Sequence, residues 1–258
     1  MALAHLNFYS QVIGVETEMN VILPQKKSSP GQEEDKRQLP ERFPVLYLLH
    51  GLTDDHTAWA RKSSVERYLT EKGIAAVMPA VHRSFYTDMV HGYDYWTFIS
   101  EEVPEIATRY FPLRQEREMT FVAGLSMGGY GAFKLALSRP EKFAAAASLS
   151  GALDIVREIE EEKDLEREFK LVFGSRKRLK GSDNDLMALL EKAASGGEEL
   201  PALYQCCGTE DFLYEDNLRF RQQAKELGVS LNFEDGPGDH NWDYWDKKIR
   251  DVLDWLPL

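Results

Sequence analysis

Residues 124–128 read Gly-Leu-Ser-Met-Gly, a serine with a glycine two positions away on either side. Composition alone produces such a pattern in about one chain in ten of this length, so its surroundings decide its weight. The apolar run Met119–Ala123 leads into it and a helical pattern, Tyr130–Ser138, leads out. A strand, a sharp turn and a helix with serine at the apex is the arrangement that exposes a nucleophilic hydroxyl. The turn is tight enough to require glycine on both sides, and Gly129 and Gly131 give further room where the helix meets the strand. The opening of that helix also favours negative charge developing at Ser126.

A nucleophilic serine needs a base, and in sheets of this kind the order along the chain is serine, acid, histidine. Of six histidines only His240 follows Ser126. It lies in the turn-rich stretch Gly-Pro-Gly-Asp-His-Asn-Trp, after the last strand candidate, where parallel sheets place their ligands. The acid is expected after the preceding strand, where Glu210, Asp211, Glu215 and Asp216 are available. Asp211 is favoured because it ends the short turn after Ala202–Gly208, whereas Glu215 and Asp216 sit where a first helical turn welcomes negative charge. An oxyanion needs two N–H donors. Met127, the residue after the serine, supplies one, and Leu52, in the loop His50-Gly51-Leu52-Thr53-Asp54-Asp55, is expected to supply the other.

Metal chemistry is the competing use of that loop. His50, Asp54, Asp55, His56 and His82 match no compact zinc spacing, and the serine turn already accounts for the region, so no catalytic metal and no cofactor are expected. A structural cation near the two aspartates is left open.

The elements that must position these groups alternate along the chain. Leu6–Gly14 and Glu16–Leu23 alternate polar and apolar residues, as half-buried antiparallel strands do. The runs Pro44–His50, Ala75–Pro79, Met119–Gly124, Phe143–Ser150, Ala202–Gly208 and Ser230–Asp235 are apolar on both faces or nearly so. Helical periodicity marks Val65–Lys72, Tyr95–Tyr110, Gly129–Ser138, Glu215–Leu227 and Trp242–Trp255. Eight strands, six of them alternating with helices, predict one α/β domain over residues 1–258, a mostly parallel sheet covered on both faces. Residues 154–197, after the sixth strand, hold only helical patterns and read as a small helical insertion, either a partial lid or a peripheral helix pair. Residues 26–42 are charged, carry Pro30, Gly31 and Pro40, and read as an exposed mobile loop.

Composition excludes other classes. The net charge of −12 repels phosphate backbones and anionic lipid, so nucleic acid and membrane surfaces are not expected partners. No apolar run approaches the ~18 residues of a span, and the first twenty residues lack the pattern of a secretion signal. The two cysteines, Cys206 and Cys207, are adjacent and read as buried reduced thiols, which fits a cytoplasmic protein.

The segments LLHGLTDDHTAW, GLSMGGYGAFKLAL, CGTEDFLYEDN and GDHNWDYWDKKI, in this order, resemble the esterase D and tributyrin-esterase group of α/β-hydrolases. The resemblance runs from His50 to the C-terminus and implies the α/β-hydrolase fold. It also implies hydrolysis of short-chain acyl esters through an acyl-enzyme, with Ser126, Asp211 and His240 at the triad positions and Leu52 and Met127 at the oxyanion positions. The implied partner is a small-molecule ester, and the resemblance leaves room for a homodimer or homotetramer. Related enzymes include S-formylglutathione hydrolases, acetyl and feruloyl esterases, and mycolyl transferases. The formylglutathione branch usually has histidine before the nucleophile and cysteine in the loop after the third strand. This chain has Leu125 and no cysteine there, which favours the simple esterase branch over a formylglutathione thioesterase; an acyltransferase using the same acyl-enzyme is the other alternative. Among aromatics near the expected site, Trp96, Phe212 and Trp242 are the candidates for substrate contact, with packing in the core as the plainer role. Trp242 is also expected to brace His240.

Overall fold

The computed structural model describes residues 1–25, 40–161 and 163–258. The charged loop expected at 26–42 therefore lies outside the described residues except for Pro40, Glu41 and Arg42, which are exposed.

Eight strands form one sheet in the order β1-β2-β4-β3-β5-β6-β7-β8. They are β1 (Ala2–Tyr9), β2 (Glu16–Leu23), β3 (Val45–Leu49), β4 (Ala75–Pro79), β5 (Thr120–Leu125), β6 (Ala145–Leu149), β7 (Ala202–Gly208) and β8 (Leu231–Gly236). Pairing is antiparallel for β1–β2 and β2–β4 and parallel from β4 through to β8. Every residue of β3, β4, β5 and β6 is buried, as expected of strands covered on both faces.

The first strand ends at Tyr9, five residues before the sequence pattern runs out. The reason lies far along the chain. The carboxylate of Glu102 accepts hydrogen bonds from the Ser10 hydroxyl and, at 2.7 Å, from the Gln11 N–H, pulling the chain out of the ladder. Gly14, at φ +68°, completes the turn and pairs Tyr9 with Glu16.

The helices are α1 (Ala58–Lys62), α2 (Val65–Lys72), α3 (Tyr95–Thr97), α4 (Val103–Tyr110), α5 (Met127–Ser138), α6 (Ile155–Glu161), α7 (Glu166–Phe173), α8 (Arg176–Leu179), α9 (Leu186–Ser195), α10 (Tyr214–Glu226) and α11 (Trp242–Trp255). A π-helical stretch, Phe98–Glu102, joins α3 to α4, so the helix expected over 95–110 is continuous but locally underwound, with wider turns. Val65 and Leu69 of α2, and Trp245, Ile249 and Val252 of α11, cover one face of the sheet with Leu46, Leu48, Phe121 and Ala147. Val103, Phe133, Leu190 and Phe220, from α4, α5, α9 and α10, cover the other face.

The insertion between β6 and β7 is α6 to α9. Leu189 and Leu190 of α9 are buried in the main core, while α7 is strapped to the loop after β4 by Val90 N–H to Val172 O and His91 N–H to Leu171 O, each 2.9 Å. Phe169 and Phe173 of α7 pack on Phe85 at 5.6 and 5.7 Å between ring centres. No helix among the described residues is long and apolar enough to cross a membrane.

Candidate active site

β3, β5, β7 and β8 run parallel, so the loops that follow them gather at one end of the sheet. Ser126 follows β5 at the apex of a turn with φ +54° and ψ −120°, a conformation that costs a residue with a Cβ. Three hydrogen bonds hold it: its N–H donates to Leu149 O at 2.9 Å, and its carbonyl accepts from Tyr130 N–H at 3.1 Å and Ala152 N–H at 3.2 Å. The flanking glycines are a steric necessity. A Cβ on Gly124 would lie 2.2 Å from the Gly128 carbonyl oxygen, and one on Gly128 would lie 2.5 Å from that of Leu49.

The Ser126 hydroxyl lies 3.0 Å from His240 Nε2, and His240 Nδ1 lies 2.9 and 3.0 Å from the two carboxylate oxygens of Asp211. The Asp211 side chain is fully buried, and its Oδ1 also accepts from Leu213 N–H at 2.9 Å. An acceptor-only carboxylate facing Nδ1 requires the proton on that nitrogen, which leaves Nε2 free to accept from serine. Such a relay can take a proton from the hydroxyl and hold the resulting imidazolium.

The other acids near Asp211 serve elsewhere. Asp216 is fully buried and paired with Arg157 and Arg219, and Glu215 is exposed on α10. Glu210 turns toward the base loop: its Oε2 accepts from Gly238 N–H at 2.5 Å, and its own N–H donates to Gly238 O at 3.0 Å. That bond pulls its carboxyl below the usual range. Gly208 lets the same loop close in, since a Cβ there would lie 2.2 Å from Gly238 O.

Met127 opens α5, so its N–H has no carbonyl one turn back to bond within the helix. Leu52 follows Gly51, whose Cβ position lies 3.6 Å from that of Ser126. The loop is pinned by His50, which spacing alone did not single out. Its Nε2 accepts from Val81 N–H at 3.1 Å, which puts the proton on Nδ1, and Nδ1 donates to Gly51 O at 2.7 Å. Tyr86 Oη donates to the His50 carbonyl at 2.9 Å. Burial holds the His50 imidazole neutral, lowering its pKa to about 4. Its place between a fully apolar strand and a glycine was the available signal.

The aromatic expectations divide. Phe212 is 65% exposed and lies 4.5 Å from the His240 ring, at the rim of the site. Trp242 does not brace the base; it packs edge-on to Trp59 and Trp245 at 5.0 and 5.5 Å, under the Lys62 ammonium. Trp245, one turn further along α11, meets the His240 ring edge-on at 4.9 Å and donates from Nε1 to Ser150 Oγ at 3.1 Å. Trp96 is drawn elsewhere. Its ring lies 4.7 Å from the buried Lys134 ammonium and lines a separate cavity of about 550 Å³ to which Ser126, Asp211 and His240 contribute nothing. Cys206 and Cys207 are both buried, and burial pushes both thiols well up, away from reactivity. Asp54 pairs with Lys62 at 2.6 Å and Asp55 bonds Thr57, so the two aspartates face protein partners.

The family model described as "Putative esterase" matches residues 10–256. An acetyl esterase of Caldicellulosiruptor saccharolyticus is 33% identical over 263 aligned positions, covering 99% of this chain and 98% of that protein. Two Staphylococcus aureus structures also align over 99% of this chain and 98% of theirs. One is the fluorophosphonate-binding serine hydrolase FphF, at 36% identity and TM-score 0.89. The other is the S-formylglutathione hydrolase FrmB, at 37% identity and TM-score 0.86. The chain therefore belongs to the esterase family and is a serine carboxylic ester hydrolase built on the α/β-hydrolase fold.

Proposed function

We propose that the chain hydrolyses short-chain acyl esters through an acyl-enzyme on Ser126. In the first half, Ser126 Oγ attacks the ester carbonyl carbon as its proton passes to His240 Nε2. The carbonyl oxygen becomes an oxyanion between the N–H groups of Leu52 and Met127. Collapse breaks the bond to the alcohol oxygen, which leaves with the proton from His240. In the second half, water loses a proton to His240, attacks the acyl carbon, and frees the acid and Ser126. Asp211 stays ionised throughout and steadies the imidazolium.

The continuous relay from Ser126 Oγ through His240 to the buried Asp211, at 3.0, 2.9 and 3.0 Å, carries this reading. The opening of α5 behind Ser126 and the His50 pin on the Leu52 loop support the oxyanion assignment. A short acyl group agrees with the acetyl esterase relative, and Phe212 offers a surface for the leaving alcohol. A second substrate class, the formyl thioester of glutathione, is favoured by the likeness to FrmB and opposed by Leu125 and the cysteine-free loop.

Turnover of p-nitrophenyl acetate, butyrate and octanoate, measured beside S-formylglutathione, separates these readings. Higher kcat/KM on acetate and butyrate than on the other two is expected. A preference for the thioester by more than tenfold would move the chain to the second class. Mass spectrometry after fluorophosphonate treatment should find the adduct on Ser126; an adduct on another serine would end the mechanism.

A further inference from the structure

At the sheet edge remote in sequence from the triad, three potential ligands converge. His5 projects from β1, Glu18 from β2, and His56 from the loop between β3 and α1. One donor atom from each lies within 4.8 Å of the other two. We propose that this cluster is a binding site for a divalent cation of the zinc class, held by His5, Glu18 and His56.

The strand register accounts for the gathering. His5 sits directly opposite Asn20 and Asn7 opposite Glu18, so His5 and Glu18 are diagonal neighbours on one face of the hairpin. His56 reaches that face from above, held by its own carbonyl, which accepts from Asn20 Nδ2 at 3.3 Å.

Hydrogen bonding leaves the ligand nitrogens of both imidazoles bare, while Glu18 Oε1 accepts from Asn7 Nδ2 at 3.0 Å and Oε2 faces His56. With its amide nitrogen committed to the His56 carbonyl, Asn20 presents its oxygen to His5 Nδ1, 2.7 Å away. That acceptor places the proton on Nδ1 and leaves a lone pair on Nε2. His5 Nε2 then faces Glu18 Oε1 at 4.0 Å, too far for a hydrogen bond. His56 is only 7% exposed, and neither of its ring nitrogens has a hydrogen-bond partner. Its Nε2 lies 3.3 Å from Glu18 Oε2. A buried imidazole with both nitrogens unpaired is costly unless something satisfies it.

The donor set selects the ion. Two imidazoles and one carboxylate suit zinc and its neighbours, whereas calcium and magnesium ask for oxygen alone. Tetrahedral ligands about 2.1 Å from zinc stand about 3.4 Å apart. His56 Nε2 is already 3.3 Å from Glu18 Oε2, while His5 Nε2 is 4.0 Å from the other oxygen, Oε1; with one donor atom from each residue within 4.8 Å of the other two, turning the exposed His5 ring and the Glu18 carboxylate brings the three around one ion. Asn20 orients one ligand and holds the loop of the other, as outer partners do in metal sites. His5 and Glu18, whose side chains are 51% and 40% exposed, leave a path for the ion and a place for a water ligand. A bound cation would tie the N-terminal hairpin to the loop that carries Leu52.

Chelator-treated full-length protein, titrated with ZnCl2 by calorimetry and with CoCl2 by visible absorption, tests the site. One ion per chain is expected, with the strong visible bands of tetrahedral cobalt. His5→Ala and Glu18→Gln should each weaken binding by at least about tenfold, and Asn20→Ala by about 10–100-fold. His5 is exposed, so its loss leaves the fold in place. Absence of binding by the wild type overturns the proposal. So does binding that survives unchanged in His5→Ala and Glu18→Gln but disappears in His240→Ala, which would put the metal on the triad imidazole.

Discussion

Glu210 and Gly238 are joined by two hydrogen bonds, one from the Gly238 N–H to the Glu210 carboxylate and one from the Glu210 N–H to the Gly238 carbonyl. They fasten the loop bearing His240 to the turn bearing Asp211, so the acid and the base share one rigid unit. Glu210 touches neither Ser126 nor the imidazole, which makes it a positioning residue. Glu210→Ala should lower kcat by between about 3- and 100-fold, the penalty of a base displaced by a fraction of an ångström, with KM nearly unchanged. Steady-state kinetics on p-nitrophenyl acetate reads this directly.

Asp211→Asn should be far worse. An amide oxygen could still accept from Nδ1–H, but it lacks the charge that steadies the imidazolium, and a flipped amide would favour the wrong tautomer. A fall in kcat of about 10⁴-fold is expected. The Glu210 and Asp211 variants measured together rank the two acids; equal effects would contradict the assignment.

Ser126 separates activity from stability. Ser126→Ala should reduce turnover by about 10⁴-fold or more while the thermal transition stays close to wild type. Ser126→Gly should be equally inactive yet more stable by about 1 kcal/mol, since glycine adopts φ +54° without a Cβ penalty. Denaturant midpoints of the two variants would show it.

The conformation at Ser126 depends on Gly124. Gly124→Ala would press a methyl group into the Gly128 carbonyl, and backbone cannot swing aside as a side chain can. A loss of about 3 kcal/mol or failure to accumulate soluble protein is expected. A stable, active Gly124→Ala enzyme would show that the turn is looser than the geometry implies.

His50 ties stability to pH. Its imidazole titrates at about 4 in the folded chain and near 6.5 when unfolded. Between those values the unfolded state binds the extra proton, so stability is complete above pH 6.5 and declines as pH falls toward 4. The contribution lost is on the order of 3 kcal/mol. The slope of unfolding free energy against pH in this window should flatten in His50→Gln, whatever the variant's absolute stability.

Much of this architecture was legible in local pattern. Doubly buried strands announce themselves as apolar runs, and the serine turn carries its glycines with it. Chain order singled out His240 as the proposed base, and the short turn after β7 singled out Asp211 as the proposed acid. What escaped depended on distant partners. Nothing near Tyr9 says that β1 must stop there, because the carboxylate that diverts the chain belongs to Glu102. Trp242 and Trp245 look alike in a helical pattern. Which one meets the base is set by the rotation of α11, fixed by Asn241 accepting from Tyr244 N–H at 3.1 Å. Trp96 carries no mark that Lys134, 38 residues on, will claim its ring. The His5–Glu18–His56 cluster escaped for the same reason, since it needs the hairpin register before its members become neighbours.

The span of the relay has a bearing on biosynthesis. Ser126 and His240 are separated by 114 positions, and the strand that delivers the imidazole, β8, is the last to be made and lies at the margin of the sheet. In a chain made from its N-terminus, Ser126 is therefore synthesised long before the imidazole that it faces in the folded protein. On the mechanism proposed above, the hydroxyl has no base to activate it until β8 and the loop bearing His240 have joined the sheet.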